Sequence, residues 1–417
     1  MKFFSERGGG KPVTFLQAVL AGLAADGGLY VPETLPKHRV PYHGRYAYFV
    51  NQLLQPFVDD MLPLTTLCER AFDFPVPLKL FAKNQGILEL FYGPSLSFKD
   101  FGARFLAQIM PYCPAEKQRL IMVATSGDTG SAVAAAFHQQ SNVRVAILYP
   151  KGKVSARQAH QLACWGDNVT TFAVQGSFDH CQALVKQAFA SSLIGEQFHL
   201  TTANSINIGR LLPQIGYYAY SSLKILADTG LPTNIIVPSG NLGNVTAAFW
   251  ARAMGYPINK IVLAQNTNAS VVNYLASGHY QPEPSIETLA NAMDVGAPSN
   301  LARLQHLYPQ FAQFKEQVSA YKVSDAEIKQ AIVTAYHEYG LRLCPHTATA
   351  YHVWQHVADH NKPWLLVATA DPAKFANIVE PLLQIDLPLS DNFRDQLSRP
   401  IKQIEIAPNL SAVLAAI

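Results

Sequence analysis

The chain has 417 residues, 49% of them apolar and 15% charged, which is enough to bury large cores and favours two or three domains. With 32 Lys and Arg against 29 Asp and Glu, the net charge is only +3. No run of basic residues is long enough to follow the phosphate backbone of a nucleic acid. No stretch approaches the roughly 20 apolar residues that span a bilayer, and no secretory signal is expected. Composition therefore argues against nucleic-acid and membrane partners.

The cysteine pattern indicates a reducing compartment. The five cysteines are scattered, and they show neither C-x-x-C spacing nor a matching pair of histidines. Such thiols are typical of a cytosolic protein. We therefore expect a cytoplasmic location and no metal site.

The chain begins differently from the rest. Helical periodicity at residues 14–25 is followed by a passage punctuated by Pro32, Pro36 and Pro41. We expect residues 1–76 to form a mainly helical N-terminal region. Beyond it, apolar runs, glycine-containing turns and amphipathic stretches alternate, which is typical of strand–turn–helix units in a parallel sheet. The predicted fold class is α/β.

A lysine, Lys99, follows a hydroxyl-rich turn within residues 95–102 and stands at the start of a predicted helix. An amine that reacts as a nucleophile must lose its proton, and an apolar setting at the positive end of a helix lowers its pKa. Phe98 and Phe101 could supply the apolar wall. On spacing alone, a solvated lysine paired with Asp100 is the commoner outcome, so this segment does not decide between the two.

A strand is predicted at residues 120–125, and the polar turn Thr-Ser-Gly-Asp-Thr-Gly at 125–130 follows it, before a helix of small residues at 131–138. Hydroxyl and N–H donors at such a turn suit a carboxylate or phosphate ligand. Alternatively, Ser126, Asp128 or Thr129 caps the helix. The two roles are compatible.

Residues 203–210 place two amides, a hydroxyl and a guanidinium before an apolar helix predicted at 211–226. The arginine, Arg210, has the side chain best shaped for bidentate recognition of phosphate or carboxylate. A surface arginine paired with a nearby acid is the alternative.

The turn at residues 239–244, Ser-Gly-Asn-Leu-Gly-Asn, lies between a predicted strand at 235–238 and a predicted helix at 245–254. This geometry turns backbone N–H groups and a helix dipole toward one point, which suits a phosphate. Neither a Walker lysine nor a dinucleotide fingerprint is present, so a small phosphorylated cofactor is favoured over a nucleotide. The alternative is a tight turn whose glycines only allow positive φ.

A third strand is predicted at residues 364–369, before the turn at 370–372. Because ligands of open α/β sheets bind at the carboxyl ends of strands, the turns after the three predicted strands are candidates for one site. The proline-spaced segment 381–408 is expected to wrap around the surface.

In their amino-acid sequence and in their order along the chain, these segments resemble the fold type II pyridoxal-phosphate (PLP) enzymes, and among them the threonine synthase family. The resemblance spans nearly the whole chain, through residues 17–20, 26–32, 98–102, 125–130, 204–210, 239–244, 291–295 and 373–375. It implies a tryptophan synthase β-like architecture of two α/β domains with parallel or mixed sheets. Residues 90–200 would form the small domain, and residues 77–89 with 201–417 the large, PLP-binding domain.

The resemblance also implies an activity and its residues. Lys99 would carry PLP, and Thr369 would face the pyridine nitrogen. The cofactor phosphate would be held by Gly240, Asn241, Leu242, Gly243 and Asn244. The implied substrate is O-phospho-L-homoserine, converted with water to L-threonine and phosphate. Its implied binding residues are Ser97, Thr125, Ser126, Gly127, Asp128, Thr129, Ser205, Asn207 and Arg210; Thr129, Ser205, Asn207 and Arg210 would hold the substrate phosphate.

Two positions depart from the family pattern. Many fold type II relatives carry Asn where this chain has Asp128; since an acid should repel the cofactor's phenolic oxygen, we expect Asp128 to be turned away or protonated. The family often has His where Asp371 stands, which leaves the role of Asp371 open. His346 is expected to be structural.

Two other functions stay open alongside the threonine synthase reaction. One is that of another fold type II lyase, such as a threonine or serine dehydratase; those enzymes usually show a run of consecutive glycines that is missing here. The other is that of a catalytically silent relative that binds phosphorylated ligands, against which the presence of Lys99 counts. A monomer or homodimer is expected.

Overall fold

The computed structural model describes residues 1–37, 39–42 and 44–417, and its strands group into three sheets. The strands are β1 (Phe3–Ser5), β2 (Tyr30–Pro32), β3 (Leu78–Ala82), β4 (Gln85–Glu89), β5 (Arg119–Ala124), β6 (Val143–Pro150), β7 (Val169–Val174), β8 (His199–Thr201), β9 (Thr233–Pro238), β10 (Ile258–Gln265), β11 (Ser319–Lys322), β12 (Trp364–Ala368) and β13 (Ile404–Ile406).

The helices pack around these sheets. The α-helices are α1 (Phe15–Ala21), α2 (Tyr46–Leu54), α3 (Leu64–Ala71), α4 (Lys99–Ile109), α5 (Asp128–Phe137), α6 (Ala156–Ala163), α7 (Phe178–Phe189), α8 (Ser192–Gln197), α9 (Ile208–Leu211), α10 (Gln214–Thr229), α11 (Gly243–Ala253), α12 (Ser270–Ser277), α13 (Leu301–Leu307), α14 (Phe311–Gln317), α15 (Asp325–Tyr339), α16 (Pro345–Val357), α17 (Ala376–Leu383), α18 (Asp391–Ser398) and α19 (Leu410–Leu414). Short 3-10 helices cover Met110–Tyr112, Asn291–Met293 and Pro372–Phe375.

The N-terminal region contains helices α1 to α3 and a small antiparallel sheet of β1 and β2. Helix α1 begins at a capping box: Thr14 Oγ1 accepts from the Gln17 backbone N–H at 3.3 Å, and Gln17 Oε1 accepts from the Thr14 N–H at 2.9 Å. Its apolar face is buried, with Phe15 fully covered. The helix indicated by the periodicity of residues 14–25 is confirmed as α1, whereas strands β1 and β2 were not predicted.

The larger sheet has six strands in the order β11-β10-β9-β12-β4-β3. All neighbours run parallel except β3 and β4, which are antiparallel. Strands β9 and β12 are adjacent, with Ile236 paired to Leu366. Because both run in the same direction, the turn at 239–244 and Thr369 lie at the same edge of the sheet, as the sequence predicts.

The smaller sheet has five parallel strands in the order β13-β7-β6-β5-β8. Strand β13 comes from the far end of the chain, where Ile404 pairs with Phe172 and Ile406 is buried. We predicted that all of residues 201–417 belong to the large domain. Strand β13 instead pairs with β7 of the smaller sheet. A strand of three residues has too little periodicity to be recognised. The other domain boundaries stay predictions.

Helix α4 brings the two sheets into one core. It packs against α5, which follows β5, and against α9, which precedes α10. The largest hydrophobic cluster contains Val123 of β5, Val237 of β9 and Phe101 and Phe105 of α4. Lys99, at the start of α4, is therefore placed between the turn at the start of α5 and the arginine on α9.

Among the helices of the described residues, none combines the length and apolar character that a bilayer crossing requires.

Candidate active site

The segment before Lys99 is tied to the end of β12. The Phe98 N–H donates to the carbonyl oxygen of Thr369 at 2.9 Å. Ser97 is fully buried, and its Oγ lies 2.9 Å from Ser95 Oγ. Lys99 is the first residue of α4, so its position is fixed by a strand end on one side and a helix start on the other.

The Lys99 amine lies in an environment that disfavours its charge. Its side chain is 13% exposed, and Nζ is 5.0 Å from the centre of the Phe98 ring. Burial lowers the pKa of Lys99, Asp128 opposes this, and the charges of Lys374 and Arg210 lower the pKa further. The net direction is downward, which favours the neutral amine that nucleophilic and base chemistry needs.

Asp128 faces Lys99 and is ionised. Oδ2 lies 3.5 Å from Lys99 Nζ, while Oδ1 lies 2.8 Å from Lys374 Nζ and accepts from Gln158 Nε2 at 3.0 Å. Burial alone would raise the pKa of Asp128, but the charges of the two lysines hold it below its ordinary range. The expectation that Asp128 is turned away or protonated is wrong, because Lys374 supplies a second buried cation.

The turn at 125–130 is closed by its own threonine. Thr125 Oγ1 accepts from the N–H groups of Gly127 at 3.0 Å and Gly130 at 2.9 Å. Gly127 has φ +133°, and a Cβ there would lie 2.7 Å from Gln158 Nε2, so only glycine fits. Helix α5 begins at Asp128, three residues before its predicted start. Ser126 and Thr129 are partly exposed beside this helix start.

The loop at 239–244 forms a backbone cradle at the start of α11. A Cβ on Gly240 would lie 2.7 Å from Met293 Cα, so the chain approaches closely here. Leu242 has φ +62°, and the first N–H groups of a helix have no intrahelical partner. Asn244 Oδ1 accepts from the hydroxyls of Tyr217 at 2.6 Å and Tyr218 at 2.7 Å, which fixes the amide. Its buried Nδ2 has no partner among the described residues.

Two residues predicted for different ligands contact each other. Asn241 Nδ2 donates to Ser205 Oγ at 2.6 Å, and Asn241 Oδ1 accepts from the Ser299 N–H at 2.6 Å. Asn300 Nδ2 also donates to Ser205 Oγ, at 3.3 Å. The segment at 203–210 and the loop at 239–244 therefore form one continuous surface.

Arg210 is buried beneath the first turn of α4. Its Nη1 donates to the Ala203 carbonyl, and its Nη2 lies 3.5 Å from the carbonyl oxygen of Lys99. A Cβ on Gly102 would lie 2.7 Å from Arg210 Nε, so glycine allows this approach. Nε has no partner within the part of the chain that is described. Burial lowers the pKa of Arg210 to about 10, against the charge of Asp100, so the guanidinium stays charged at neutral pH.

Asn207 plays a structural part in this arrangement. Its Oδ1 caps α9 by accepting from the Gly209 N–H at 2.9 Å, and its Nδ2 donates to the carbonyls of Val19 at 2.9 Å and Thr202 at 3.0 Å. Both amide hydrogens are therefore used inside the protein. Asn207 orients the helix that carries Arg210.

The end of β12 contributes Thr369 and Asp371. Thr369 is 5% exposed, and its N–H donates to Thr347 Oγ1 at 3.2 Å. Asp371 Oδ1 accepts from the Ala373 N–H at 2.8 Å and so caps the short helix Pro372–Phe375. The question left open by the family pattern at position 371 has a local answer, which is helix capping.

His346 stands at the start of α16, close to Asp128. Its Nε2 accepts from the Ala292 N–H at 3.0 Å, so the ring proton is on Nδ1, which is buried without a partner among the described residues. Burial lowers the pKa of His346 to about 4. The ring is neutral at physiological pH and holds the 291–293 segment beside the loop at 239–244.

Sequence reasoning gave no role to three residues of the site. These are Lys374, Gln158 and Asn291, whose Nδ2 donates to Gln158 Oε1 at 3.3 Å. Lys374 and Asn291 lie in segments that carry the family resemblance, which was the only available signal. For Gln158 the sequence offered none, because its contact with Asp128 arises from the packing of α6 on α5.

The donor set fits PLP. A phosphate suits the backbone cradle at 239–244, where the orphaned Asn244 Nδ2 needs an acceptor. An amine with a lowered pKa, Lys99, and a hydroxyl at a strand end, Thr369, lie at the same edge of the sheet.

Comparison with known proteins agrees with this geometry. The family model for pyridoxal-phosphate dependent enzymes matches residues 77–369, and the models for the N terminus and the C-terminal part of threonine synthase match residues 2–72 and 347–417. The threonine synthase of Escherichia coli (strain K12) is 38% identical over 426 residues, covering 100% of this chain and 98% of that protein. The chain belongs to the threonine synthase family.

Solved structures of threonine synthases share the whole fold. The crystal structure of the Escherichia coli threonine synthase matches with a TM-score of 0.90 at 36% identity, over 99% of this chain and 98% of that one. A PLP-bound threonine synthase from Brucella melitensis gives 0.91 at 31% identity, over 99% and 98%. As a member of the threonine synthase family, the chain is a PLP-dependent lyase of fold type II. The predicted family, fold class and cofactor are confirmed, and the roles of single residues stay predictions.

Proposed function

We propose that this threonine synthase family member converts O-phospho-L-homoserine and water to L-threonine and phosphate, the last step of threonine biosynthesis. The observation that supports this substrate is the buried guanidinium of Arg210 beside Lys99, with Nε unpartnered among the described residues. A PLP enzyme needs one phosphate site for its cofactor, and the loop at 239–244 suits that purpose. Arg210 offers a second, charged anion site, which a phosphorylated substrate would use.

The cofactor would be held by residues that follow β9 and β12 and by the first residue of α4. Gly240, Asn241, Leu242, Gly243 and Asn244 would hold its phosphate, Thr369 would face the pyridine nitrogen, and Lys99 would carry its reactive carbon. Bound there, PLP would supply an electron sink that makes protons on the substrate carbons easier to remove.

Lys99 would move the protons. Its amine lies 3.5 Å from Asp128 Oδ2, and burial lowers its pKa, which favours the neutral form that would accept a proton from Cα and then from Cβ. The phosphate would leave from Cγ with the bonding electron pair, Cγ would take up a proton to become the methyl group, water would add its hydroxyl at Cβ, and a proton would return to Cα. One amine can serve these steps because they take place along one face of the substrate.

The substrate phosphate would be bound by Arg210, Thr129 and Ser205, with Asn207 orienting α9 through its cap. A fixed positive charge is worth most where negative charge develops, here on the leaving phosphate. Ser97, Thr125, Ser126 and Gly127 would border the substrate's α-carboxylate at the start of α5, and the ionised Asp128 would lie beside them against Lys99.

The test is a product assay. Purified protein loaded with PLP and given O-phospho-L-homoserine should release phosphate and L-threonine in equal amounts. Given L-threonine instead, it should form little 2-oxobutyrate. Rapid 2-oxobutyrate formation without phosphate release would indicate a dehydratase. A colourless protein that takes up no PLP would indicate a silent relative.

We further propose that the protein works in the cytoplasm as a monomer or homodimer. All five cysteines lie within the described residues and are free thiols, which suits a reducing compartment. Light scattering should give a mass of 45.7 kDa or twice that value.

A further inference from the structure

Lys374 joins three segments of the site. It lies in the short helix Pro372–Phe375 after β12, and its side chain is fully buried. Nζ donates to the carbonyl oxygen of Ser95, in the loop before Lys99, at 2.6 Å. It also lies 2.8 Å from Oδ1 of Asp128, the first residue of α5. A buried lysine is costly unless a charge and hydrogen bonds compensate it, and both are present here.

Asp128 shares its charge unequally between two lysines. Its contact with Lys374 is 2.8 Å long, and Gln158 adds a hydrogen bond to the same oxygen at 3.0 Å. Its contact with Lys99 is 3.5 Å, which is longer than an ordinary N–H···O hydrogen bond. Asp128 is therefore held mainly by Lys374, and Lys99 is held loosely.

The remaining charged groups around the cluster do not replace Lys374. The guanidinium of Arg210 faces Lys99 from α9. His346 faces Asp128 from α16 and is neutral, since burial lowers its pKa to about 4. Asp100 accepts from the Ser95 N–H at 2.9 Å, and burial raises its pKa to about 6.

We propose that Lys374 is a positioning residue for Lys99. It forms the closer ion pair with Asp128 and so compensates the carboxylate charge. Asp128 can then orient the Lys99 amine without holding it as an ammonium ion. Without Lys374, Lys99 would be the one lysine left beside Asp128 among the described residues, and the two would form an ordinary ion pair. An opposite charge at this distance favours the protonated amine. The inference rests on the proposed role of Lys99, and its test reads the amine itself.

The experiment measures the reactivity of Lys99 in the full chain after PLP is removed. The protein is labelled with acetic anhydride over a range of pH, and mass spectrometry gives the labelled fraction at Lys99. In Lys374→Met, the midpoint of labelling should rise by about one pH unit. Lys374→Arg keeps the charge and should stay near the unmodified protein. Lys224→Met removes an exposed pair with Asp228 on α10 and is the matched control.

The PLP-loaded protein gives a second readout. The pH midpoint of the cofactor's absorption change should move upward in Lys374→Met and stay in place in Lys224→Met. An unchanged or lower midpoint for Lys374→Met in both measurements would overturn the proposal and leave Lys374 a purely structural residue. If the unmodified protein makes no threonine but Lys374→Met still shows the labelling shift, the proposed activity would be overturned and this inference would stand.

A double variant covers the case in which Lys374→Met does not fold. Asp128→Asn/Lys374→Met removes both buried charges together, so it should melt at a higher temperature than either single variant. Its labelling midpoint should lie at or below that of the unmodified protein. A midpoint about one pH unit higher would contradict the proposal, because no carboxylate would be left to hold Lys99 protonated.

Discussion

The loop at 239–244 and the cluster around Lys99 meet at one edge of the larger sheet, but they are built differently. The loop is a single segment whose fixed partners, such as the hydroxyls of Tyr217 and Tyr218, are neutral. The cluster collects Lys99, Asp128, Arg210 and Lys374 from four separate segments. The loop depends on backbone geometry, whereas the cluster depends on a balance of buried charge.

The difference has energetic consequences. Backbone N–H groups at a helix start can be satisfied by water or a ligand in place of a protein partner, whereas a buried charge that loses its partner costs about 3–5 kcal/mol. Larger side chains in the loop should therefore weaken cofactor binding, because they would crowd the backbone cradle. Changes in the cluster should alter substrate binding, proton transfer or the pH dependence of stability.

The largest effect is expected at Lys99, where both regions act. Lys99→Ala should lower the rate of phosphate release at saturating substrate by at least about 10³-fold, because it removes the amine that carries protons. Borohydride reduction followed by mass spectrometry should place the pyridoxyl adduct on residue 99 of the unmodified protein. A variant with about a tenth or more of the original rate would show that another group moves the protons.

The next effect separates the two regions. Arg210→Met should raise the KM for O-phospho-L-homoserine about 100-fold, since a charged partner of a buried phosphate is typically worth 2–5 kcal/mol. The dissociation constant of PLP should change much less. The control is Arg104→Met, on the same helix as Lys99 but bonded to the carbonyls of Ala71 and Arg70. If Arg210→Met and Arg104→Met behave alike, Arg210 has no specific role in substrate binding.

His346, which lies beside Asp128 of the cluster, should give the protein part of its pH dependence. His346 has a pKa of about 4 in the folded protein, against 6.5 as its ordinary value. Between these values the unfolded chain binds a proton that the folded protein does not, so stability is lost as the pH falls. From pH 7 to pH 5 this residue should cost about 2 kcal/mol.

His346→Gln should therefore lose less stability between pH 7 and pH 5 than the unmodified protein, as measured by urea unfolding. His306→Gln, at an exposed position of α13, is the control. Equal pH dependence in His346→Gln and the unmodified protein would mean that the His346 ring is not kept neutral by burial.

The smallest effect is expected in the loop. Gly240→Ala would put a Cβ 2.7 Å from Met293 Cα, and the backbone must shift to make room. Overpacking of this kind costs about 1–3 kcal/mol, so the dissociation constant of PLP should rise about tenfold. Gly195→Ala in α8, where a Cβ would meet open space, is the control. Equal PLP affinity in the two variants would show that the cradle is not tight.

The same contrast explains what the sequence could predict. Strands at 120–125, 235–238 and 364–369 appear as β5, β9 and β12, within two residues at each end, because each is a buried apolar run bounded by a polar turn. The helix predicted at 211–226 is instead α9 and α10, with Pro213 at the junction. The loop could be predicted because its chemistry is contained in six consecutive residues.

The cluster could be predicted only in part. Lys99 and Arg210 stood out by residue type and by family resemblance, but the ionised state of Asp128 did not. It depends on Lys374, 246 positions further along the chain, whose sequence setting is that of an ordinary lysine. The strand β13 was missed for a related reason, since its partner β7 lies more than 200 residues earlier. Such contacts are set by the fold and leave no local pattern.

The division of labour between the loop and the cluster is tested most directly by measuring two constants on Gly240→Ala and Arg210→Met. These are the dissociation constant of PLP and the KM for O-phospho-L-homoserine. The predicted result is a crossover, in which Gly240→Ala mainly weakens PLP binding and Arg210→Met mainly raises the KM. If both variants change both constants by the same factor, the two regions act as one site and this account is contradicted.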